Sequence, residues 1–119
     1  MYSAAVLDRF HNPRNSGPLE GATHHGMGGL RGEGPYVELW LEIAGGRIQR
    51  AGYETYGCPA AVACGSILCE VLIGKSTELA ASIEAKDLEV LLGGLPAGKG
   101  HCSALAIEAV RSALEGEEG

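Results

Sequence analysis

The chain has 119 residues, 45% of them hydrophobic and 20% charged, with a formal net charge of −6. That length suits one domain with a modest core, and the negative balance excludes the basic surface that a nucleic-acid binder needs. No apolar run reaches the ~18 residues of a membrane span, and no basic segment followed by an apolar core opens the chain. The expected compartment is therefore the cytoplasm, where thiols stay reduced.

Tyr2 to His11 reads as a short amphipathic helix with Val6, Leu7 and Phe10 at helical spacing. The run Asn12-Pro13-Arg14-Asn15-Ser16-Gly17-Pro18 stops it. Gly21 to Gly34 is glycine-rich, and a loop with room for a short edge strand is expected there. His24 and His25 are expected as exposed loop residues, because adjacent positions share a face on neither helix nor strand. From Tyr36 to Ala44 the pattern alternates, with Val37, Leu39, Leu41 and Ile43 on one face and Glu38, Trp40 and Glu42 on the other. Gly45-Gly46 signals a hairpin turn, and Arg47 to Tyr56 is the return strand. The tight-turn register sets Glu33 opposite Cys58. A one-residue shift pairs Val37 with Thr55, Leu39 with Tyr53 and Leu41 with Ala51, matching the apolar faces better and leaving Glu33 diagonal to Cys58. Either register expects a carboxylate beside that thiol.

Pro59 to Ile73 forms the second helix, with Cys64, Ile67, Leu68, Val71 and Leu72 as its apolar stripe. Cys64 thus reads as a small buried hydrophobe, and Cys69, on a flanking face, reads the same way. Two short helices are expected around residues 77–82 and 87–92. After the break Gly93-Gly94-Leu95-Pro96-Ala97-Gly98, a final helix runs from His101 to Leu114 with Leu105, Ala109 and Leu114 facing inward. An acidic tail, Gly116 to Gly119, follows. This order predicts one α+β domain over residues 1–119, a small antiparallel sheet of about three strands with helices packed on one face.

Four cysteines are present. Cys64 and Cys69 stand about 140° apart around a helix, and no C-x-x-C or zinc-ribbon spacing occurs. Cys58, in Tyr56-Gly57-Cys58-Pro59, and Cys102, in Gly98-Lys99-Gly100-His101-Cys102-Ser103, each stand where a glycine turn becomes a helix. Free N–H groups and the positive dipole end favour a thiolate at such a place. Cys58, Cys102 and His101, with Glu33 as a fourth ligand, make a candidate tetrahedral zinc site, and the soft sulfurs also suit iron. The 44-residue step from Cys58 to Cys102 is no compact motif. On spacing alone, a metal site and two incidental cysteines at helix starts both stay open. A cysteine-nucleophile enzyme is the weaker reading. Side chains of adjacent helical residues diverge by about 100°, and no third group orients His101.

Three segments resemble the IscU/NifU-type iron–sulfur cluster scaffold family, and the resemblance covers nearly the whole chain. Tyr2 with Asn12-Pro13-Arg14-Asn15-Ser16-Gly17 is similar to that family's N-terminal helix and Asn-Pro-Arg-Asn-x-Gly turn. Thr55-Tyr56-Gly57-Cys58 resembles the strand end that carries its second cluster cysteine. Leu95-Pro96-Ala97-Gly98-Lys99-Gly100-His101-Cys102-Ser103 is similar to its Leu-Pro-Pro-x-Lys-x-His-Cys-Ser segment, with the third cysteine and the ligand histidine. The step between the two cysteines looks more like the IscU branch than the longer SufU-type branch.

The family's first cysteine lies in Gly-Ala-Pro-Ala-Cys-Gly-Asp. Here the segment reads Gly29-Leu30-Arg31-Gly32-Glu33-Gly34-Pro35, with Glu33 at the cysteine position and Pro35 at that of an aspartate associated with cluster lability. The resemblance implies a non-catalytic scaffold that binds iron or a [2Fe–2S] cluster through Cys58, His101 and Cys102. It also implies a cysteine desulfurase as sulfur-donating partner. A chaperone site is implied at Leu95–Lys99, which keeps only the ends of the family's Leu-Pro-Pro-Val-Lys. A homo-oligomer would arise if two chains shared a cluster. The alternative on the same residues is a structural or regulatory zinc module, which a hard carboxylate at position 33 suits better and which would transfer no cluster.

Overall fold

A computed structural model describes residues 2–115; the acidic tail expected at Gly116–Gly119 lies outside them. The elements in chain order are α1 (Ala4–His11), β1 (His24–Gly29), β2 (Tyr36–Ala44), β3 (Arg47–Tyr56), α2 (Pro59–Leu72), α3 (Thr77–Ser82), α4 (Ala85–Leu91) and α5 (Gly100–Glu115). The strands form one antiparallel sheet in the order β1-β2-β3.

Both registers foreseen for the hairpin occur. At the tip Ala44 pairs with Arg47 and Ile43 with Ile48, as a two-residue turn requires. The turn is built on Gly45 and Gly46, both with positive φ (62° and 75°), the conformation that keeps the strand twist continuous. A bulge between Glu42 and Ile43 then shifts the ladder by one residue, and Leu41–Ala51, Leu39–Tyr53 and Val37–Thr55 pair beyond it. The turn sets the register at the tip. Burial of Val37, Leu39, Leu41, Ala51 and Tyr53 on one face sets it elsewhere, and the bulge absorbs the difference.

The helices cover that apolar face. Within the glycine-rich stretch expected as a loop with room for a short edge strand, His24–Gly29 form the edge strand β1, and the reason is α5. A Cβ at Gly28 would stand 2.0 Å from the Leu105 carbonyl oxygen, and one at Gly26 would stand 2.2 Å from the Ala113 nitrogen. The helix backbone lies directly on the strand backbone, so glycine is selected there by close approach against its poor strand propensity. The edge of β1 is tied to α5 by the Met27 N–H, which donates to Ser112 Oγ at 3.2 Å. The two histidines therefore lie on a strand. His24 bonds Thr23 Oγ1 at 2.7 Å, and the exposed His25 pairs with Glu38 at 2.6 Å.

Ser3 caps α1 by accepting from the Val6 N–H at 3.1 Å, and its hydroxyl donates to the Leu92 carbonyl. Of the three apolar positions expected on this helix only Val6 is buried; Leu7 and Phe10 are about two-fifths exposed. Arg9 ties α1 to α2 through a two-point contact with Glu70 (2.9 and 3.1 Å). On α2, Cys64 and Cys69 are fully buried, and burial pushes both thiols up to about 12. They are small hydrophobes of the core. Ser103, on α5, donates to Glu89 of α4 at 2.6 Å, which fixes the first turn of α5 against the short helices. Among the described residues no helix is long and apolar enough to cross a membrane.

Candidate metal centre

Cys58 occupies the N-cap of α2 with extended backbone (φ −87°, ψ 178°), and Pro59 takes the first helical position. Gly57, with φ 154°, turns the chain out of β3. Cys102 lies in the first turn of α5, after a turn through Gly98 (φ 85°). The packing of α2 and α5 on one sheet face brings these two helix starts together. Cys58 Sγ stands 4.0 Å from Cys102 Sγ, and Cys102 Sγ stands 3.6 Å from His101 Nε2.

These separations can be tested against coordination geometry. Tetrahedral ligands at about 2.3 Å for sulfur and about 2.05 Å for imidazole nitrogen lie about 3.8 Å apart for a sulfur pair and about 3.6 Å apart for sulfur and nitrogen. Both contacts therefore have the spacing of neighbouring ligands on one metal. They are two ligand-spaced pairs hinged on Cys102. Among the described residues no group of three or more His, Cys, Asp or Glu side chains is arranged as a ready cage. The divergence expected between adjacent helical side chains is not kept, because the exposed His101 ring turns back towards Cys102.

The two thiols differ electrostatically. Burial would raise Cys58. The N–H groups of Ala61 and Ala60, the Tyr2 hydroxyl and the Cys102 thiol outweigh it and bring Cys58 down to about 7. No capping hydrogen bond of ordinary geometry forms, so the helix start acts on the sulfur by proximity. Burial, and then the negative charge on Cys58, push Cys102 up to about 12. At neutral pH the pair is one partly ionised sulfur beside one protonated thiol. Tyr2 is raised by burial and by its bond to Cys58, and Lys99 is raised by the Cys58 charge. Sequence reasoning missed both as neighbours of Cys58. Lys99 lies three positions before Cys102 and could have been found; Tyr2 stands out only in the segment that carries the family resemblance, and nothing in the sequence places it beside Cys58.

Glu33 is not brought to the thiols. The β2–β3 ladder ends at Tyr36–Tyr56, two residues short of Cys58, so the pairing that would have carried Glu33 to it does not continue. Glu33 is exposed in the β1–β2 loop, its N–H bonded to the Leu30 carbonyl at 3.1 Å. It is flanked by Gly32 and Gly34, which have φ of 90° and 93°. Arg31 anchors the loop to the outer face of the sheet. Its guanidinium donates to Tyr36 Oη at 2.8 Å, to Glu38, and to Glu54 at 3.2 Å. Glu38 is only 9% exposed. Burial would raise its carboxyl, but His25 and Arg31 hold it below the usual carboxylate range.

Residues 1–116 match the family described as the NifU-like N terminal domain. The chain is 40% identical over 114 residues to the iron-sulfur cluster assembly scaffold protein IscU 1 of Archaeoglobus fulgidus, covering 96% of this chain and 74% of that one. It is 37% identical over 121 residues to the iron-sulfur cluster assembly scaffold protein IscU of Haemophilus influenzae, covering 95% and 92%. A crystal structure from Fervidobacterium islandicum, of a protein described as a cluster assembly scaffold for the SUF system, superimposes with a TM-score of 0.74. It covers 95% of this chain and 96% of that one at 22% identity, and so shows the shared fold.

Proposed function

Because this chain belongs to the family of NifU-like N-terminal domains, we propose that it is a scaffold for iron–sulfur cluster assembly that holds iron or a [2Fe–2S] cluster on Cys58, Cys102 and His101. It is a carrier, with no turnover of its own. The observation that carries the residue assignment is the ligand-like spacing of 4.0 Å between the two sulfurs and 3.6 Å between Cys102 and His101. Soft thiolates with one imidazole are a donor set that iron–sulfur clusters accept.

The residues divide the work. Cys58 offers a sulfur that is already half ionised near neutral pH, so iron can be captured there first. Cys102 has to give up its proton as the second bond forms, and loading therefore releases protons. Lys99 beside Cys58 offsets the negative charge that gathers as sulfide arrives. His101, exposed on the first turn of α5, closes on the metal from the solvent side. Glu33 stands away from the thiols, because the ladder ends at Tyr36–Tyr56, and it takes the fourth position only by a movement of its glycine-flanked loop. A carboxylate is a harder ligand than a thiolate, so this corner is the one that opens when a recipient takes the cluster. A cysteine desulfurase supplies the sulfur, and a chaperone binds the turn Leu95–Lys99 that precedes the site. The free thiols suit a reducing compartment such as the cytoplasm.

The test is anaerobic incubation of the full chain with ferrous iron and sulfide, followed by visible absorbance and assay of iron and sulfide. A coloured protein with equal iron and sulfide is expected, and Cys58→Ala or Cys102→Ala should abolish the colour. Glu33→Cys should raise both yield and lifetime. A colourless, iron-free wild type would overturn the reading. Stoichiometric zinc with a melting temperature that falls on chelation would favour the zinc module instead.

A further inference from the structure

We propose that Cys58 and Cys102, when no metal holds them, are a redox modification site that a hydroperoxide converts to a reversible intramolecular disulfide, closing the site to metal. The loss of metal binding rests on the proposed function; the bond itself does not.

All four cysteines are free, and these are the two whose sulfurs approach, at 4.0 Å. Their exposures assign the roles. Cys58 is half-buried at the surface, whereas Cys102 is only 1% exposed and lies behind it. A small oxidant therefore meets Cys58, and Cys102 is placed to resolve the product. Closing the gap to a bond of about 2.05 Å requires a shift of about 2 Å. Both residues can supply it. Cys58 sits at an N-cap with extended backbone, outside the helix whose preceding turn would restrict χ1. Cys102 stands in a first turn, after the glycine turn at Gly98. Cys64 and Cys69 are as buried as Cys102, but among the described residues neither sulfur comes within 4.0 Å of another, as those of Cys58 and Cys102 do.

The chemistry balances in two steps. The Cys58 sulfur attacks one peroxide oxygen and the O–O bond breaks. Cys58 becomes a sulfenic acid, and the leaving hydroxide takes the thiol proton as water. The Cys102 sulfur then attacks Cys58 Sγ and the S–O bond breaks. The departing hydroxide takes the Cys102 proton, giving a second water. Two thiols lose two electrons and the peroxide gains them. A dithiol reverses the bond by exchange. The disulfide has no thiolate to offer, and thiolates are what a metal requires.

The experiment takes the full reduced chain, stripped with a chelator, and treats it with one equivalent of hydrogen peroxide. Intact mass, thiol titre, peptide mapping and zinc(II) binding are measured before and after. Expected are a mass loss of about 2 Da, a fall from four titratable thiols to two, and a cross-linked peptide pair containing Cys58 and Cys102. Zinc binding should be lost and should return on treatment with dithiothreitol. Two wild-type results would overturn the proposal. One is a gain of about 16 Da at Cys58, a sulfenic acid that stays unresolved, with Cys102 still open to alkylation after unfolding. The other is a dimer linked through Cys58. An intramolecular loss of about 2 Da in Cys102→Ala would also overturn it, since the partner would be another cysteine. A reduced protein that binds zinc but never forms the bond sinks this proposal alone. A protein that forms the bond but binds neither zinc nor iron when reduced sinks the proposed function alone.

Discussion

Gly28→Ala should destabilise the protein by about 3 kcal/mol and loosen the metal centre at the same time. An added Cβ would stand 2.0 Å from the Leu105 carbonyl oxygen, 2.9 Å from its carbon and 3.2 Å from the Ala109 nitrogen, whereas ordinary Cβ contacts begin at 3.4 Å. The shortfall at the oxygen is 3.4 − 2.0 = 1.4 Å, and the atoms in the way are backbone, so no side chain can rotate clear. The first half of α5 must lift from β1, opening the seam at Ala106, Ala109 and Val110, all fully buried. Overpacking costs about 1–3 kcal/mol, and displacement of a helix backbone belongs at the upper end. In urea the unfolding midpoint should fall by roughly 1.5–2 M for an m-value of about 1.5–2 kcal/mol/M. Leu105 lies one turn after Cys102, so the same displacement should draw Cys102 Sγ away from Cys58 Sγ and weaken zinc binding. Gly26→Ala strikes Ala109 and Ala113 instead, farther along the helix. It should cost similar stability with less effect on zinc. Gly100→Ala meets nothing within 4 Å and should be neutral or stabilising by up to ~1 kcal/mol. A Gly28→Ala variant within ~0.5 kcal/mol of wild type, the range of innocuous surface changes, would refute the seating of α5 on β1.

Three further outcomes follow from the electrostatics and contacts. In metal-free protein, Cys58 should alkylate with a rate that rises through a midpoint at pH about 7, because its lowered value leaves it ionised above that pH. Cys64, Cys69 and Cys102 should stay slow, and a Cys58 midpoint near 9 would contradict the helix-start environment. Glu38→Gln should cost about 1–3 kcal/mol at pH 7 by removing the negative charge and one of the two acceptor oxygens that hold His25 and Arg31. The Glu38 carboxyl is depressed on folding, so its contribution is present above the unfolded value of 4.5 and lost as pH falls through the folded one. The gap between wild type and variant should therefore close in acid. Arg9→Ala should cost about 1 kcal/mol through loss of the two-point contact with Glu70, read from thermal melts at low and high salt. A cost that salt leaves unchanged would mean that the arginine stem and not its charge ties α1 to α2.

The hairpin was legible because alternation and a Gly-Gly turn are local signals. Its bulge was legible only as a conflict between two registers, each of which turned out to hold over its own part of the ladder. β1 was not legible. His24–Gly29 has almost no strand propensity, and its glycines make sense only once a helix about eighty residues later lies on them. The thiol pair could be inferred from two helix starts and a neighbouring histidine. The placement of Glu33 could not, since it depended on the ladder running past Tyr36–Tyr56. Arg31 fixes that loop by reaching Glu38 and Glu54, seven and twenty-three positions away. No periodicity announces such a clasp, nor a carboxylate buried on the outer face of a sheet. Leu7 and Phe10 show the opposite error, helical spacing without burial, because α1 is short and only Val6 reaches the core.

X-ray absorption at the zinc edge of protein loaded with one equivalent of zinc tests most directly whether Cys58, Cys102 and His101 act on one ion. The account predicts two sulfurs at about 2.3 Å and an imidazole nitrogen at about 2.0–2.1 Å, with one sulfur fewer in Cys102→Ala. A shell of oxygen and nitrogen alone, or a sulfur count unchanged by that substitution, would contradict it.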